Sequence, residues 1–295
     1  MNTTPSILCC PICKFPLEKN ANNLICKEHG EYVIKKGFPS FCDYNEFDNH
    51  WNDNFTEEIP EPKKLAAKNF LDSIDFTNLD EGKTILDIGC GDGMHVNYIN
   101  NIPIKNFSNL WAIDISLSAL LSCKKRDDNS WNLAHADAIN LPFLSSSFDI
   151  SYSYGVICYS SNPKKAFSEM ARITKPGGIV GLWVYPKATG IGGFAFNTIR
   201  SFCRLTGSIG THILANLIVP FIGFLPTTSK VNLTNSTWKQ CREIVLVNIA
   251  PTNLYFPTED EVKGWFKEEG LDIYLNKENE PITIWAKKPN SDIVG

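Results

Sequence analysis

The sequence predicts an α/β protein in which a small N-terminal domain precedes a doubly wound, mostly parallel sheet. Two patterns support this fold class. From Thr84 onward, segments of strand-forming residues alternate with amphipathic helical segments, as they do in βαβ units. Ahead of that region, Cys and His residues stand in two closely spaced pairs, a pattern typical of metal ligands.

The predicted sheet begins with the first of the alternating segments. The parallel strand candidates are TILDI (84–88), LWAID (110–114), a third strand ahead of Asp137, FDISYSY (148–154) and GIVGLWV (178–184). The helix candidates between them are SLSALLSCKKR (116–126) and PKKAFSEMARIT (163–174). A helix at 258–270 has a threonine cap and a glycine stop, and strand-like segments follow at 271–275 and 282–286. They predict a seven-stranded sheet with an antiparallel C-terminal strand.

Composition divides the chain into three predicted regions. Residues 5–42 form the N-terminal domain, residues 43–61 an acidic linker, and residues 62–288 the large α/β domain. Residues 187–257 are expected to be an insertion that forms a lid or a substrate-binding element. This insertion has six basic residues and one acid, a net charge of six minus one, or +5, whereas the whole chain has a formal charge of −4.

Composition also limits the class of protein. A net charge of −4 disfavours a dedicated nucleic-acid binder, whose affinity would depend on neutralising phosphates. The N-terminal stretch lacks the basic and apolar regions of a signal peptide, and we expect no transmembrane segment. The ten cysteines are therefore expected to be reduced thiols or metal ligands in a cytoplasmic protein.

The segment ILDIGCGDG ends the first strand in an acid followed by glycines at alternate positions. It is either a plain strand-to-helix turn or a turn that lets a ligand approach the backbone. Asp87 precedes the glycines, where its charge would repel a pyrophosphate but suit an ammonium group. Asp114 ends the second strand, 21 residues beyond Gly93, where a carboxylate can accept both hydroxyls of a ribose.

In these motifs the sequence resembles the class I S-adenosylmethionine-dependent methyltransferases, of the type 11 group, over roughly residues 62–288. LDIGCGDG resembles their first motif, WAIDIS the second, ADAINLPFLSSSFDISYSYGVICY the third and fourth, and MARITKPGGIVGLWVY a later helix-turn-strand. The resemblance implies a Rossmann-like fold and the cofactor S-adenosyl-L-methionine. The residues that it assigns to the cofactor are Asp87, Gly89, Cys90, Gly91, Asp114, Ile115, Asp137, Ala138, Ser153 and Tyr154.

The resemblance also implies a role for each part of this set. Asp87 would hold the ammonium group of the methionine moiety, the loop glycines would face the cofactor, and Asp114 would bind the ribose hydroxyls. Ile115 would cover the adenine, and Asp137, beside Ala138, would accept from its amino group. For Asp137 a helix N-cap is the alternative.

Ser153 and Tyr154 would lie near the methionine moiety, although strand alternation lets only one face of the strand reach it. Methyl transfer requires that nucleophile, methyl and sulfur be held in line, and it requires a base only for an unactivated nucleophile. Related sequences often carry paired histidines after the fourth strand, where this chain has Cys158 and Tyr159. His95, Tyr154 and Tyr159 are candidate bases with packing roles as the alternative, so the catalytic residue stays unassigned.

Cys10-x2-Cys13 and Cys26-x2-His29 are two ligand pairs separated by twelve residues. Four N/S ligands satisfy tetrahedral Zn²⁺, and a domain this small needs a metal to fold, so we predict a structural zinc site. The segment resembles the zinc ribbon at the N-terminus of some methyltransferases, including bacterial ribosomal-RNA guanine methyltransferases. Two alternatives remain: Cys9 replaces Cys10, or the four groups are buried without a metal.

Three functions remain open. The apolar, basic insertion suits a small or lipid-like acceptor, hydrophobic or anionic, or shallow contact of a lid with an anionic membrane surface. An RNA base is the second interpretation, supported by the ribbon and the basic insertion and opposed by the overall acidity. A non-catalytic binding scaffold is the third, opposed by the intact Asp87, glycine loop and Asp114.

Overall fold

The computed structural model describes most of the chain. The described residues are 7–20, 23–43, 61–74, 82–102, 107–126, 131–187, 190–224, 238–249, 253–277 and 281–290. Most of the predicted acidic linker, residues 44–60, lies outside them. Within the described residues, no helix is both long enough and apolar enough to cross a bilayer.

Four short antiparallel strands form an N-terminal sheet in the order β1-β2-β3-β4. They are β1 (Glu18–Asn20), β2 (Asn23–Cys26), β3 (Gly30–Lys35) and β4 (Phe38–Pro39). The two predicted ligand pairs lie before β1 and at the turn from β2 to β3, so the hairpin brings them together. This arrangement fits the predicted zinc ribbon.

Seven strands form the main sheet in the order β10-β11-β9-β8-β5-β6-β7. They are β5 (Lys83–Ile88), β6 (Phe107–Asp114), β7 (Trp131–His135), β8 (Phe148–Tyr154), β9 (Thr174–Val184), β10 (Asp272–Lys277) and β11 (Ile282–Lys287). Within this sheet β11 alone runs antiparallel to its neighbours, β9 and β10. The predicted seven-stranded, mostly parallel sheet with an antiparallel C-terminal strand is confirmed. Its strand order reverses beside β5, where ligands bind at the carboxyl ends of strands.

The described residues contain seven α-helices, of which Leu117–Arg126, Pro163–Ile173 and Glu259–Glu268 lie close to the three predicted ones. They are α1 (Glu61–Leu71), α2 (Met94–Asn100), α3 (Leu117–Arg126), α4 (Pro163–Ile173), α5 (Gly190–Ile218), α6 (Trp238–Ile249) and α7 (Glu259–Glu268). Thr258 and Glu261 form a capping box at the start of α7, as expected from its threonine cap. Helices α1, α2 and α3 cover one face of the sheet, and α4 and α7 cover the other.

Alternate residues of β5 reach the two faces of the sheet. Ile85 belongs to the buried cluster of Phe70 in α1, whereas Leu86 and Ile88 belong to the cluster of Phe167 in α4. Because strand side chains alternate with a period of two, the residue between Leu86 and Ile88 is directed to the α1–α3 face. That residue is the acid of the glycine motif.

The N-terminal domain shares its core with the α/β domain. Leu8, Leu17 and Leu24 are buried in the same cluster as Phe143 and Phe148 of the main domain. At the same contact, Cys9 N–H donates to the Pro142 carbonyl at 2.9 Å, and the Lys14 ammonium lies 2.7 Å from the Glu169 carboxylate. The ribbon is therefore a packed part of the molecule, joined to it by apolar, backbone and ionic contacts.

The predicted insertion contributes α5 and α6, which form a third buried cluster. Its core residues are Phe196, Cys203, Ala215, Val219, Cys241, Val245, Leu246 and Ile249. Gly207 interrupts α5 with φ 64° and ψ −158°, so α5 is two helical segments joined at a kink. Lys187 N–H donates to the Pro257 carbonyl at 3.1 Å, and Arg200 donates to the Leu254 carbonyl at 3.2 Å. The first bond joins the two ends of the insertion, and the second joins α5 to the segment just before its C-terminal end.

We expect Gly181→Ala to lower the free energy of unfolding by about 1–3 kcal/mol, the usual cost of overpacking a core. A Cβ at Gly181 would lie 2.0 Å from the ring of Trp285, which is fully buried. Gly264→Ala in α7 is the matched control, because a Cβ there meets nothing within 4 Å. It should raise stability by up to about 1 kcal/mol through helix propensity. Urea unfolding of both variants measures these changes, and equal effects would contradict the packing at Trp285.

Candidate functional site

The loop between β5 and α2 contains three glycines in left-handed conformations. Gly89, Gly91 and Gly93 have φ angles of 79°, 54° and 83°, values that residues with a Cβ rarely adopt. The N–H groups of Gly89 and Cys90 both donate to the Ile113 carbonyl, at 2.8 and 2.9 Å. The alternating glycines therefore serve a tight loop whose backbone is tied to β6.

Asp114, the last residue of β6, fastens the same loop through its carboxylate. Gly91 N–H donates to Oδ2 at 2.9 Å, and Ser116 N–H donates to Oδ1 at 2.9 Å. Hydrogen bonds to a charged acceptor are stronger than neutral ones. Since a carboxylate has about four acceptor positions, this clamp is compatible with further donors such as ribose hydroxyls.

Asp87 and Asp114 lie on the same face of the sheet. Asp87 pairs with Ala112 of β6, and Asp114 lies two residues further along that strand, so both side chains point the same way. Asp87 is 1 % exposed, and its burial, followed by the charge of Asp114, raises its pKa from 3.8 to about 8. The two carboxylates thus interact across one buried space.

His95 of α2 forms a buried polar cluster with Asp87 and Tyr152. His95 Nδ1 lies 4.0 Å from Asp87 Oδ2, and its ring centroid lies 5.5 Å from that of Tyr152. Among the described residues, Asp87 Oδ2, His95 Nε2 and the Tyr152 hydroxyl have no hydrogen-bond partner, although Tyr152 partly offsets the raised pKa of Asp87. Buried polar atoms are rarely unsatisfied, so three beside one loop indicate a place for a polar group of a ligand or for water.

The cluster holds a proton that a ligand could displace. Burial lowers the pKa of His95 to about 3, so its imidazole is neutral at neutral pH. Together with the raised pKa of Asp87, this leaves one proton on the pair between about pH 3 and pH 8. A cation beside Asp87 would favour the carboxylate and expel that proton.

The structure separates the other side chains predicted for the cofactor. Tyr154 lies on the face of the cluster, with its ring centroid 5.0 Å from that of His95. Ser153 lies on the opposite face, where its hydroxyl donates to the Ile88 carbonyl at 3.0 Å. The side chain of Cys90 is buried in the core of the α1–α3 face, so it offers the loop only its backbone.

Asp137 caps the short 3-10 helix Ala138–Asn140. Its Oδ1 accepts a hydrogen bond from Ile139 N–H at 3.1 Å. The N-cap that the sequence left open is therefore present, and it uses one of the two carboxylate oxygens. Ile115 and Ala138, the other residues predicted for the adenine, are both half-buried.

A hydrogen-bonded chain joins the ribbon to this end of the site. His135 Nε2 donates to the Ile115 carbonyl at 2.9 Å, and because a carbonyl only accepts, Nδ1 accepts from the Ser40 hydroxyl at 2.8 Å. Phe41 N–H also donates to the His135 carbonyl at 2.8 Å. No sequence motif indicated His135 or Ser40, because their contact depends on where the exit segment of the ribbon docks.

Cys42 follows this contact and lies close to the predicted adenine end. Burial, followed by the charges of Asp137 and Asp114, raises the pKa of its thiol to about 12. The Cys42 thiol thus lies within electrostatic range of both carboxylates. The ribbon is therefore part of the wall around the candidate site.

The three candidate bases lack the properties of a general base. Burial raises the pKa values of Tyr154 and Tyr159 further above the ordinary value of a phenol, so both stay protonated at neutral pH. His95 is neutral but buried, and burial disfavours the imidazolium that proton abstraction would produce. A general base needs a pKa near the working pH, which none of the three has.

The glycine loop is covered in this structure. A Cβ added at Gly89 would lie 2.4 Å from both Cγ atoms of Val156, so Val156 packs directly on the loop. Access to Gly89 therefore requires Val156 to move. A cavity of about 310 Å³ lies instead beside α2 and does not include either carboxylate; it is lined by Lys64, Met94, Asn97, Tyr98 and Asn101.

The predicted metal ligands converge at the base of the ribbon. One ligand atom from each of Cys10, Cys13, Cys26 and His29 lies within 4.8 Å of the others. The Cys13–Cys26 sulfur separation is 3.5 Å, and His29 Nδ1 lies 3.6 and 3.7 Å from the sulfurs of Cys10 and Cys26. A tetrahedron with Zn–S of about 2.3 Å and Zn–N of about 2.0 Å has edges of roughly 3.5–3.8 Å, so the donor set fits zinc.

Groups around Cys10 favour its thiolate. Although burial raises the pKa of Cys10, donation from the Tyr32 hydroxyl at 3.1 Å and from backbone N–H groups lowers it overall to about 6. The alternative ligand Cys9 is not in the cluster, and burial raises its pKa to about 11. The geometry therefore selects Cys10.

Comparison with known proteins finds similarity to one family over part of the chain. Residues 86–182 match the family model described as a methyltransferase domain. The chain is 33% identical over 119 residues to a malonyl-[acyl-carrier protein] O-methyltransferase of Buchnera aphidicola, which covers 40% of this chain and 44% of that protein. It is 35% identical over 125 residues to a tRNA (carboxymethyluridine(34)-5-O)-methyltransferase of Arabidopsis thaliana, which covers 41% of this chain and 27% of that protein. The matches thus span less than half the length of both relatives.

The fold matches solved structures over more of the chain. One is a chain from the complex between the Haloferax volcanii Trm112 methyltransferase activator and a methyltransferase, with a TM-score of 0.52 and 14% identity. This match covers 84% of the present chain and 100% of the other. At this identity the match concerns the fold alone.

We expect Asp87→Asn to flatten the pH dependence of stability between about pH 6.5 and 8. Native Asp87 keeps its proton up to about pH 8, whereas the unfolded chain releases it above 3.8, so stability falls as pH rises through this range. Up to pH 6.5 His95 offsets the fall, because its pKa is lowered from 6.5 to about 3. Above pH 6.5 the wild type should lose at most about 1.4 kcal/mol of unfolding free energy per pH unit relative to Asp87→Asn.

Thermal unfolding across this pH range measures the effect, and Asp149→Asn is the matched control. Asp149 lies at the opposite end of the sheet. Burial raises its pKa, but hydrogen bonds from Lys175 and Thr84 lower it overall. Asp149→Asn should therefore keep the pH slope of the wild type. The same slope in Asp87→Asn would show that Asp87 does not hold the proton.

Proposed function

We propose that the chain methylates a small hydrophobic or anionic acceptor. The premise is that residues 86–182, which match the methyltransferase-domain model, form a domain of the class I S-adenosylmethionine-dependent type. The main support is the pair Asp87 and Asp114, which share one face of the sheet beside a glycine loop with positive φ angles. In a domain of this family, such a pair suits a ligand with an ammonium group at one end and a ribose nearby. S-adenosyl-L-methionine has both.

The buried cluster gives the cofactor proposal a physical basis. The Oδ2 atom of Asp87 has no hydrogen-bond partner among the described residues and borders His95 and Tyr152. An ammonium group beside it would supply both donors and the charge that makes the carboxylate favourable. Asp114 would accept from the ribose, while Ile115, Asp137 and Ala138 would border the adenine. We retain Ser153 only through its backbone, since its side chain is on the other face.

The residues of the site would promote methyl transfer by orientation. Bound S-adenosyl-L-methionine supplies an electrophilic methyl on a positively charged sulfur. The clamp of Asp114 on Gly91 would fix the position of the cofactor, and closure by Val156 would exclude water. Because none of the candidate bases suits proton abstraction, we favour an acceptor whose nucleophile is already ionised at neutral pH, such as a carboxylate. The malonyl relative has a name consistent with such an acceptor.

We further propose that Cys10, Cys13, Cys26 and His29 bind a structural Zn²⁺. Support comes from the separations between the ligand atoms, which fit a tetrahedron. The metal would stabilise the ribbon, and through it Ser40, His135 and the adenine end of the site.

Methylation of an RNA base is the alternative for the acceptor, and a non-catalytic scaffold is the alternative for the activity. The tRNA relative favours the first. Incubation with methyl-labelled cofactor and separate small-molecule, lipid, protein and RNA fractions of a cell extract distinguishes these outcomes. Label in the small-molecule or lipid fraction supports the proposal, and label in RNA overturns the acceptor. Cofactor binding with no label in any fraction supports the scaffold.

We expect Asp114→Asn to weaken the binding of S-adenosyl-L-homocysteine by about tenfold or more, the value of a charge-assisted hydrogen bond. Asp149→Asn is the control, since Asp149 lies at the amino ends of the strands and should leave affinity unchanged. Isothermal titration calorimetry measures both.

Since Asp114 also clamps the loop, the ligand must be varied as well. The wild type should bind S-adenosyl-L-homocysteine more tightly than its 2′-deoxy analogue, and Asp114→Asn should discriminate much less between them. Equal discrimination by both proteins would refute the ribose contact while leaving the clamp intact.

We expect metal removal to weaken cofactor binding as well as stability. Zinc should be found at about one per chain, and its removal by a chelator should lower the Tm, because the ribbon shares the main core. Affinity for S-adenosyl-L-homocysteine should fall several-fold and return on adding Zn²⁺. Unchanged affinity in a protein shown by elemental analysis to be metal-free would contradict a role of the ribbon in the cofactor site.

A further inference from the structure

The outer side of the insertion exposes large apolar side chains in a row. Leu205 is 86 % exposed and Ile209 is 78 % exposed. We define the α5 outer face by these two residues together with Phe202, Ile213, Leu217 and Phe221. Phe202 and Leu205 precede the kink at Gly207, the others follow it, and Phe221 lies in the 3-10 helix Val219–Phe224 that continues α5. From Ile209 to Leu217 the members recur every four residues, which is the spacing of neighbours on one side of an α-helix.

The remainder of α5 is already occupied by intramolecular packing. Cys203, Thr211 and Ala215 are buried, and two of them belong to the cluster that α5 forms with α6. A surface helix of this kind normally carries polar residues on the side away from the core. Here that side carries large apolar residues as well. Single exposed hydrophobic residues would not require an explanation, but a series of six on one element does.

The charge around the row has one sign. No acidic residue occurs in the sequence between Glu169 and Glu243. Arg204 is exposed between Phe202 and Leu205 of the row, and Lys187 is exposed at the base of the insertion. The chain as a whole carries −4, so positive charge is concentrated here against the average of the molecule. Apolar side chains interspersed with cations and without acids complement a surface that is apolar inside and anionic outside.

From these observations we propose that the α5 outer face docks on the surface of a lipid bilayer that contains anionic lipids. Within the described residues no helix can span a membrane, so the face would lie in the interface with its apolar side chains among the acyl chains. Arg204, which is exposed beside Phe202 and Leu205, would contact the lipid headgroups.

The position of α5 gives this docking a consequence for the site. Arg200 of α5 donates a hydrogen bond to the Leu254 carbonyl, and the N–H of the next residue, Tyr255, donates to the Cys158 carbonyl at 2.8 Å. Cys158 is two residues beyond Val156, which packs on the glycine loop. Helix α5 thus links the outer face to the segment that bonds beside Val156. Docking would let a hydrophobic acceptor reach the site from the membrane. This consequence rests on the proposed function, whereas the docking itself does not depend on that function.

The test is sedimentation with vesicles of phosphatidylcholine, with and without phosphatidylglycerol. The wild type should bind the anionic vesicles more tightly than the neutral ones. The double variant Ile209→Gln/Ile213→Gln should bind both kinds of vesicle about tenfold or more weakly, because it loses two aliphatic side chains that would be buried in the bilayer. Leu65→Gln is the matched control, because Leu65 is also exposed but lies on α1, and it should bind as the wild type does. Arg204→Gln should reduce binding to the anionic vesicles only.

Three results would overturn the proposal. They are a wild type that binds neither kind of vesicle, a double variant that binds like the wild type, and a self-association removed by the double variant without any vesicle binding. The last result, seen by light scattering, would assign the face to contact between copies of the chain. Because these side chains are exposed, the Tm and the affinity for S-adenosyl-L-homocysteine should be the same in all variants. A wild type that does not bind S-adenosyl-L-homocysteine would count against the proposed function and not against the docking.

Discussion

The carboxylate of Asp114 connects the two strand ends on which the candidate site is built. It accepts from Gly91 on the β5 loop and from Ser116 at the start of the next helix, so the loop cannot shift without breaking charged hydrogen bonds. The same negative charge adds to the burial that keeps Asp87 protonated. A buried acid with an unsatisfied oxygen lowers the stability of the free protein and becomes favourable only when a cation is near. The burial and the unsatisfied oxygen of Asp87 thus lower the stability of the free protein and also suit this region to a cationic ligand.

The ribbon affects the site through packing and not through chemistry. Its apolar residues complete the core on the α4–α7 face, and its exit segment leads through Ser40 and His135 to the Ile115 carbonyl. A histidine bonded on both nitrogens has its tautomer and ring orientation fixed. The metal would therefore influence the adenine end of the site over a distance through rigid contacts, as a structural element rather than a reactant.

The sequence predicted the sheet, the glycine loop and the four metal ligands because each depends on local pattern. Strand alternation, positive-φ glycines and short Cys/His spacings are properties of neighbouring residues. It did not predict the approach of His95 to Asp87 or the contact of Ser40 with His135. Those depend on how a helix is rotated and on where a distant segment docks. Ser153 is intermediate: alternation showed that one of Ser153 and Tyr154 must turn away, and the register of β8 with β5 decides that it is Ser153.

The shared core of ribbon and sheet also has a consequence for the order of events during synthesis on the ribosome. The metal ligands Cys10 and His29 are 19 residues apart and emerge almost together, whereas Lys14 and its partner Glu169 are separated by 155 residues. A nascent ribbon can thus close around its ion long before the surface on which it docks has been translated. Until then Leu8, Leu17 and Leu24 have no core to enter. During this interval of synthesis their apolar side chains are exposed, which favours aggregation.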